Sequence, residues 1–260
     1  MRAMRRRPIR KSVLTIIAIF LFPLAVHGAL YSARSRPQSY DRADWSSTGM
    51  LPAANAEPEA RLLVFTGRTG RWRGIFAVHS WVVFKPENAT SWNRYDVVGW
   101  GQPVRNNGWA PDGRWFGDTP RVLLDVRGAH ATALIPKVRS AIAEYQYNRA
   151  GDYRIWPGPN SNTFVASVLR AMPELETTLP SNAIGKDFRP APYLGLTDSR
   201  TGLEASLFGV VGVKLGWVEG VELNFMGLVT GLDLRHPGIK LPGFGRIGID
   251  DGTAIAAPAM

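Results

Sequence analysis

The sequence predicts an α+β domain with antiparallel strands and two helices, set behind an N-terminal apolar anchor. Three observations carry that class. β-Branched and aromatic runs come first, two segments with helical spacing follow, and a Gly-rich region of alternating polarity comes last. With 260 residues, 45% of them hydrophobic, and nine tryptophans, the chain can bury one substantial core.

Six basic residues in the first eleven precede an apolar run over residues 13–26 that includes Ile16, Ile17, Ile19, Phe20 and Leu21. Positive charge followed by apolar character predicts a cytoplasmic N-terminus and a translocated remainder. Residues 1–31 therefore read as a signal anchor or signal peptide. As an anchor they hold the chain at the inner membrane through residues 12–30, single-pass, with the domain in the periplasm. Val26-His27-Gly28 is a poor cleavage site, so retention is preferred over a cleaved, periplasmic product. The leader also accounts for the formal charge of +10: residues 1–36 hold eight basic residues and no acidic one, and without them 23 Lys+Arg face 21 Asp+Glu, a net of +2. A nucleic-acid partner thereby loses its electrostatic basis. Cysteine is absent, which excludes disulfides, cysteine-ligated metals and a cysteine nucleophile.

Residues 32–60, rich in Arg, Ser, Pro, Ala, Asp and Glu, read as a linker, residues 61–250 as the domain and residues 251–260 as a flexible tail. The domain opens with the apolar residues 62–65. Residues 75–84 are apolar on both faces, as a central strand is. Pro86-Glu87-Asn88 turns the chain and residues 94–100 return as a strand. Residues 101–120 predict an ordered surface loop pinned by Trp109, Trp115 and Phe116, and residues 121–126 a further strand. Over residues 134–147, Ile135, Val138, Ile142 and Tyr145 fall at helical spacing, with Pro136 near the first turn. A second helix opens after Trp156-Pro157-Gly158-Pro159 and ends near Met172. Residues 173–200 read as loop. Residues 203–232 read as two or three antiparallel strands whose Glu204, Glu219 and Glu222 face solvent, and residues 237–249 as irregular.

The residues that could carry chemistry are few. His79 falls inside an apolar strand, where an imidazole needs a hydrogen-bond partner. A turn centred between Glu87 and Asn88 places Asp96 opposite it, and a one-residue shift would part them. Asn160, Ser161 and Asn162 stand at the entrance of the second helix. On pattern alone the simpler reading is that Asn160 or Ser161 is the N-cap. The functional reading makes Ser161 a nucleophile, His79 its base, Asp96 the group that orients the imidazole, and the helix N-terminus an oxyanion site. Asn160, Asn162, Trp81 and Trp156 are the candidate ligand-binding residues around it. Only His79, His130 and His236 lie outside the leader, so no metal is expected, and no cofactor. At least half of Trp92, Trp100, Trp109 and Trp115 are expected in the core.

His79 followed by a strand, Asp96 on the next one and Asn160-Ser161-Asn162-Thr163-Phe164 opening a helix resemble the circularly permuted NlpC/P60 (papain-like) group. In that group the His strand comes first and an N-C-x-x-F helix start bears the nucleophilic cysteine. The resemblance implies a permuted papain-like fold with Ser161 at the cysteine position. That substitution matters, because a serine hydroxyl is far less acidic than a thiol. The segments HSWVVFK, RYDVVGWG, WPGPNSNTFVASVLR, AIGKDF and IKLPGFGRIG also resemble, across residues 60–249, a bacterial domain-of-unknown-function family, number 3750. That family implies no particular activity.

Two classes of function follow. As an enzyme, the protein is a Ser-dependent amide or ester hydrolase, or acyltransferase, acting on a cell-envelope component with a small acyl or peptide substrate. As a non-catalytic module, it binds an envelope ligand or serves structurally, with a degenerate papain-like site and Ser161 left as a cap.

Overall fold

The computed structural model describes residue 11, residues 14–34, residue 37 and residues 39–249. The basic leader over residues 1–10, positions 12 and 13 of the anchor, and the tail over residues 251–260 lie outside the described residues. The architecture is α+β, with two antiparallel sheets and few helices. An apolar helix, α1 (Leu14–Ser32), precedes them.

The first sheet has the order β4-β3-β2-β1-β5, formed by β1 (Arg61–Arg68), β2 (Val78–Lys85), β3 (Asn93–Val97), β4 (Val104–Asn106) and β5 (Arg121–Arg127). Period-two alternation gives β1 and β2 two apolar faces. Leu62, Val64, Val82 and Phe84 join a core with two helices, α2 (Gly128–Ala143) and α3 (Ser161–Arg170). Leu63, Phe65, Trp81 and Val83 join a second core with Trp92 and Trp115. The stretch expected as a linker contributes to that second face: Trp45, Leu51 and Ala54 pack there. The Asp112 carboxylate anchors it by accepting from Ser47 Oγ at 2.6 Å and from the backbone N–H of Met50 at 2.7 Å.

Several sequence expectations shift. β2 begins at Val78 because Arg71–Ile75 form a 3-10 turn, and a short β4 lies within the expected loop. Helix α2 starts six residues earlier than predicted, directly after β5, so Pro136 lies inside it. Its buried stripe of Ala131, Leu134, Ile135 and Val138 outweighs the proline. Pro136 and Thr132, whose carbonyl loses its partner, are both exposed, where water can satisfy that group.

The larger correction concerns the C-terminal third. In place of two or three strands and an irregular end, residues 193–248 form a seven-stranded meander, β6 (Tyr193–Leu196), β7 (Gly202–Leu207), β8 (Val211–Gly216), β9 (Gly220–Phe225), β10 (Leu228–Asp233), β11 (Gly238–Leu241) and β12 (Gly245–Gly248). Two of its turns place Phe208-Gly209 and Met226-Gly227 at positive φ. Tight hairpins favour that geometry and usually announce it with Asn-Gly or Asp-Gly, which these turns lack.

The glutamates expected in solvent are buried. One row across the sheet runs Gly195, Glu204, Lys214, Glu222, Gly231, Lys240 and Arg246. It faces the segment that carries Lys186, Asp187, Arg189 and Asp198. Glu222 accepts from Lys186 Nζ at 2.6 Å and Lys240 Nζ at 2.6 Å, and Glu204 accepts from Arg189 Nη2 at 2.6 Å. Asp187 accepts from Lys214 Nζ at 2.6 Å and Lys186 Nζ at 3.0 Å. Glu219 accepts from Ser199 Oγ at 2.8 Å. Alternation alone did not decide which face was covered, and the charges went inside because each found a partner there.

Replacing Glu222 by Ala removes the shared partner of two buried lysines. It should cost about 3–5 kcal/mol in denaturant unfolding, and a loss near zero would contradict this account of the layer. The pH dependence has a definite sign. Burial pushes the Asp187 and Glu222 carboxyls up, but the lysines beside them outweigh it and hold both below their ordinary range. A depressed folded-state pKa gives stability that is present above about pH 4 and lost as pH falls further. Thermal unfolding of the wild type should show that acid loss, and Glu222→Ala should flatten it.

Candidate active site

β2 sends His79 to the tryptophan face and Ser80 to the helix face. On the tryptophan face the imidazole stacks on Trp115, with ring centroids 3.7 Å apart and planes at 4°. His79 Nε2 donates to Asp96 Oδ1 at 2.9 Å. The pairing register differs from the expected one: Val82, not His79's predicted neighbourhood, fixes it by lying opposite Tyr95. The shift is two residues, so the two side chains keep the same face and meet diagonally. A shift of one would have separated them.

Asp96 is clamped by Arg94, two residues back on the same face. Arg94 Nε donates to Oδ2 at 2.7 Å and Nη2 to Oδ1 at 2.9 Å. The guanidinium lies 4.2 Å from the centroid of Trp81 and donates from Nη1 to the Ala110 carbonyl at 2.5 Å. Burial works to raise the Asp96 pKa, but the Arg94 charge and the bonds from His79 and Arg94 hold it below the ordinary range. His79 is pushed down, first by burial and further by Arg94, against the pull of Asp96. A neutral imidazole beside an ionised carboxylate results. Because Nε2 is committed to Asp96, Nδ1 is the nitrogen left to accept a proton.

At the start of α3 the cap belongs to Asn160. Its Oδ1 accepts from the N–H groups of Asn162 at 2.9 Å and Thr163 at 3.1 Å, and Thr163 Oγ1 accepts from the Asn160 N–H at 3.1 Å, closing a capping box. Asn160 Nδ2 donates to the carbonyls of Ile155 and Ile184, both at 3.0 Å. The close approach of residue 185 requires glycine: φ is +95° and a Cβ there would sit 2.2 Å from Asn160 Nδ2. Asn162 ties the helix to β2, donating from Nδ2 to the Val78 carbonyl at 2.9 Å and accepting from Ser80 Oγ at 2.8 Å. The first turn of α3 is therefore pinned to the residues on either side of His79. Among the described residues the Ser161 hydroxyl makes no hydrogen bond, although the residue is only 4% exposed.

The structure thus joins His79 to Asp96 on one face of β2 and holds Ser161, on α3, against the other face, with no hydrogen bond from Ser161 to either. Asn160 and Asn162 spend their side chains within the fold. Trp81 is fully buried with its Nε1 donating to the Pro111 carbonyl at 3.0 Å, while Trp156 is half exposed and donates to the Met226 carbonyl at 2.9 Å. A cavity of about 940 Å³ opens at the end of β2. Val78 and Asn182 line it, whereas His79, Asp96 and Ser161 do not. Sequence reasoning missed Arg94 and read Trp115 only as a loop pin or core residue, not as the ring stacked on His79. The i, i+2 spacing of Arg94 and Asp96 on one strand was the available sign.

Because Asn160 carries the cap, Asn160→Ala should destabilise the fold by about 1–2 kcal/mol, and more because the Ile155 carbonyl loses its donor while Ile184 keeps Asn162. Ser161→Ala should stay within about 0.5 kcal/mol. Equal losses in chemical denaturation would show that Ser161 shares the capping work.

Neither a curated protein nor a solved structure matches the chain. A family described as protein of unknown function (DUF3750) matches residues 59–188, which hold the first sheet, both packed helices, His79, Asp96 and Ser161. The similarity expected over residues 60–249 is thus shown up to residue 188, short of the seven-stranded sheet. On that match, the chain belongs to the DUF3750 family.

Proposed function

We propose that the chain is an exported, membrane-anchored protein with a permuted papain-like (NlpC/P60-like) acyl-transfer site, hydrolysing an amide or ester, or moving an acyl group, on a cell-envelope component. One observation carries the reading. Asn160 and Thr163 close the capping box between them, so the hydroxyl of Ser161 at the helix N-terminus is left without a hydrogen-bond partner among the described residues.

In this mechanism Ser161 Oγ attacks the substrate carbonyl and, because His79 and α3 lie on opposite faces of β2, the Ser161 proton reaches His79 Nδ1 through a bridging water. The N–H groups of Asn162 and Thr163 are occupied by Asn160, so the Ser161 N–H is the first-turn donor for the oxyanion. Collapse expels the leaving group, which takes the proton from His79, and water or a second acceptor then releases the acyl group from Ser161. Asp96 holds the ring by its Nε2–H and stabilises the imidazolium, while Arg94 keeps Asp96 ionised. Retention of α1 is supported by its contacts. His27 Nδ1 donates to the Ile75 carbonyl at 2.7 Å and Tyr31 Oη to the Arg71 carbonyl at 2.9 Å, so the helix is bonded into the domain.

A second reading, a non-catalytic envelope module, is favoured by the way His79 is sealed against Trp115 and Asp96 is neutralised by Arg94. A serine-directed fluorophosphonate probe separates the two. Wild type should label, and Ser161→Ala and His79→Ala should lose labelling by several orders of magnitude while both retain a cooperative melt. Labelling should persist below about pH 6.5, the ordinary histidine value, because the His79 pKa is lowered. No labelling of folded wild type at any pH, or labelling that survives Ser161→Ala, would transfer support to the binding module.

A further inference from the structure

The seven-stranded sheet is inside out. Its charged row is buried, and the opposite face carries an apolar row through all seven strands: Leu196, Leu203, Leu215, Val221, Leu232, Ile239 and Ile247. By alternation no outward position of β6 to β12 holds a charged residue. These side chains stand open, with Leu203 64%, Leu215 59% and Leu223 47% exposed. A contiguous apolar row across seven strands is the kind of exposed patch that marks an interaction or membrane surface.

We infer that this face seats the protein on a lipid bilayer, forming one apolar surface with α1. Continuity selects the occupant. The Ile17–Leu21 turn of α1 lies against β10, and the ring of Phe20 is 6.0 Å from that of Phe225, an outward residue of β9. α1 is itself 19 residues long with a mean hydropathy of 2.0. It buries only Phe20, His27 and Tyr31 and leaves Leu14, Ile16, Ile17, Ile19, Leu21 and Phe22 open. A protein partner on the sheet would leave that half of the helix uncovered, and so would a second copy seated sheet to sheet. A bilayer covers both. Seated face-down, the sheet keeps its ladder bonds between strands, and only the edges β6 and β12 need headgroups or water. Its outward side chains then enter the acyl boundary to the roughly 5–10 Å depth of interfacial elements. The rim suits that placement. Trp217 is exposed at the β8–β9 turn, and exposed Trp72, flanked by exposed Arg71 and Arg73, sits where Tyr31 ends α1. The domain is therefore held flat at the membrane, not at the end of a tether.

The inference is independent of chemistry at Ser161 and shares with the reading above only the retention of α1, which the intact mass of the purified chain verifies separately. The full chain lacks cysteine, so single Leu203→Cys, Leu215→Cys and Leu223→Cys variants can carry a fluorophore, with Ala133→Cys on the exposed side of α2 as the reference. In vesicles of phosphatidylethanolamine with phosphatidylglycerol, the sheet labels should be quenched by brominated acyl chains and be several-fold less open to iodide than Ala133→Cys. Sheet labels as open to iodide as the reference would overturn the inference. So would labels shielded from both quenchers that form disulfides between copies, which would make the face a dimer interface. On the unmodified chain, a phospholipid with a diazirine in its acyl chain should cross-link to peptides from β7 to β9, and cross-links confined to α1 would also overturn it.

Discussion

The candidate site depends on the buried pairing of Arg94 with Asp96. Two charges withdrawn from water cost several kcal/mol each unless their geometry is close to ideal. Here the guanidinium meets both carboxylate oxygens, a carbonyl of the Trp-rich loop and the face of Trp81. The pair thereby fixes three things at once. It keeps Asp96 ionised in a place where burial works to protonate it, it gives His79 Nε2 an acceptor, and it ties the Ala110 carbonyl of the Trp-rich loop to β3. The orientation of the imidazole, and so the availability of Nδ1, follows from that one interaction.

The two sheets communicate through a short segment. The Ile184 carbonyl accepts from both Asn160 and Asn162, and Gly185 lets the chain pass against Asn160. One and two residues later, Lys186 and Asp187 enter the charged layer under the meander. The start of α3 is thus braced by β2 on one side and by the second sheet on the other. Trp156 adds a further tie to the β9–β10 turn. A sheet that turns its charges toward the site and its leucines toward lipid would hold the site at a fixed height above a membrane.

Much of this was legible in the sequence where local chemistry and tertiary demand agree. β1 and β2 announce themselves by apolar runs and α3 by a capping word, and the His79–Asp96 pair emerged from a histidine inside an apolar strand and the register of the turn after it. The pairing was right for a reason more robust than the register used to find it, since a two-residue slip preserves the face. The meander was less legible. Its alternation is plain, but alternation does not say which face is inside, and ordinary experience puts leucine in and glutamate out. Phe208 and Met226 hide two turns that glycine and asparagine would have advertised. Arg94 escaped notice because an arginine in a strand reads as solvent-facing until its carboxylate and three indoles surround it.

The central proposal is that Asp96 holds the Nε2 proton of His79 and leaves Nδ1 unprotonated, able to serve as the base for Ser161. Nitrogen-15 NMR of the imidazole in the full chain reads this directly. The account predicts a neutral Nε2–H tautomer at pH 7, titrating below about pH 6.5, with an Nδ1 resonance that moves when Ser161 is replaced by alanine. An Nδ1–H tautomer, or an Nδ1 resonance indifferent to Ser161→Ala, would contradict it.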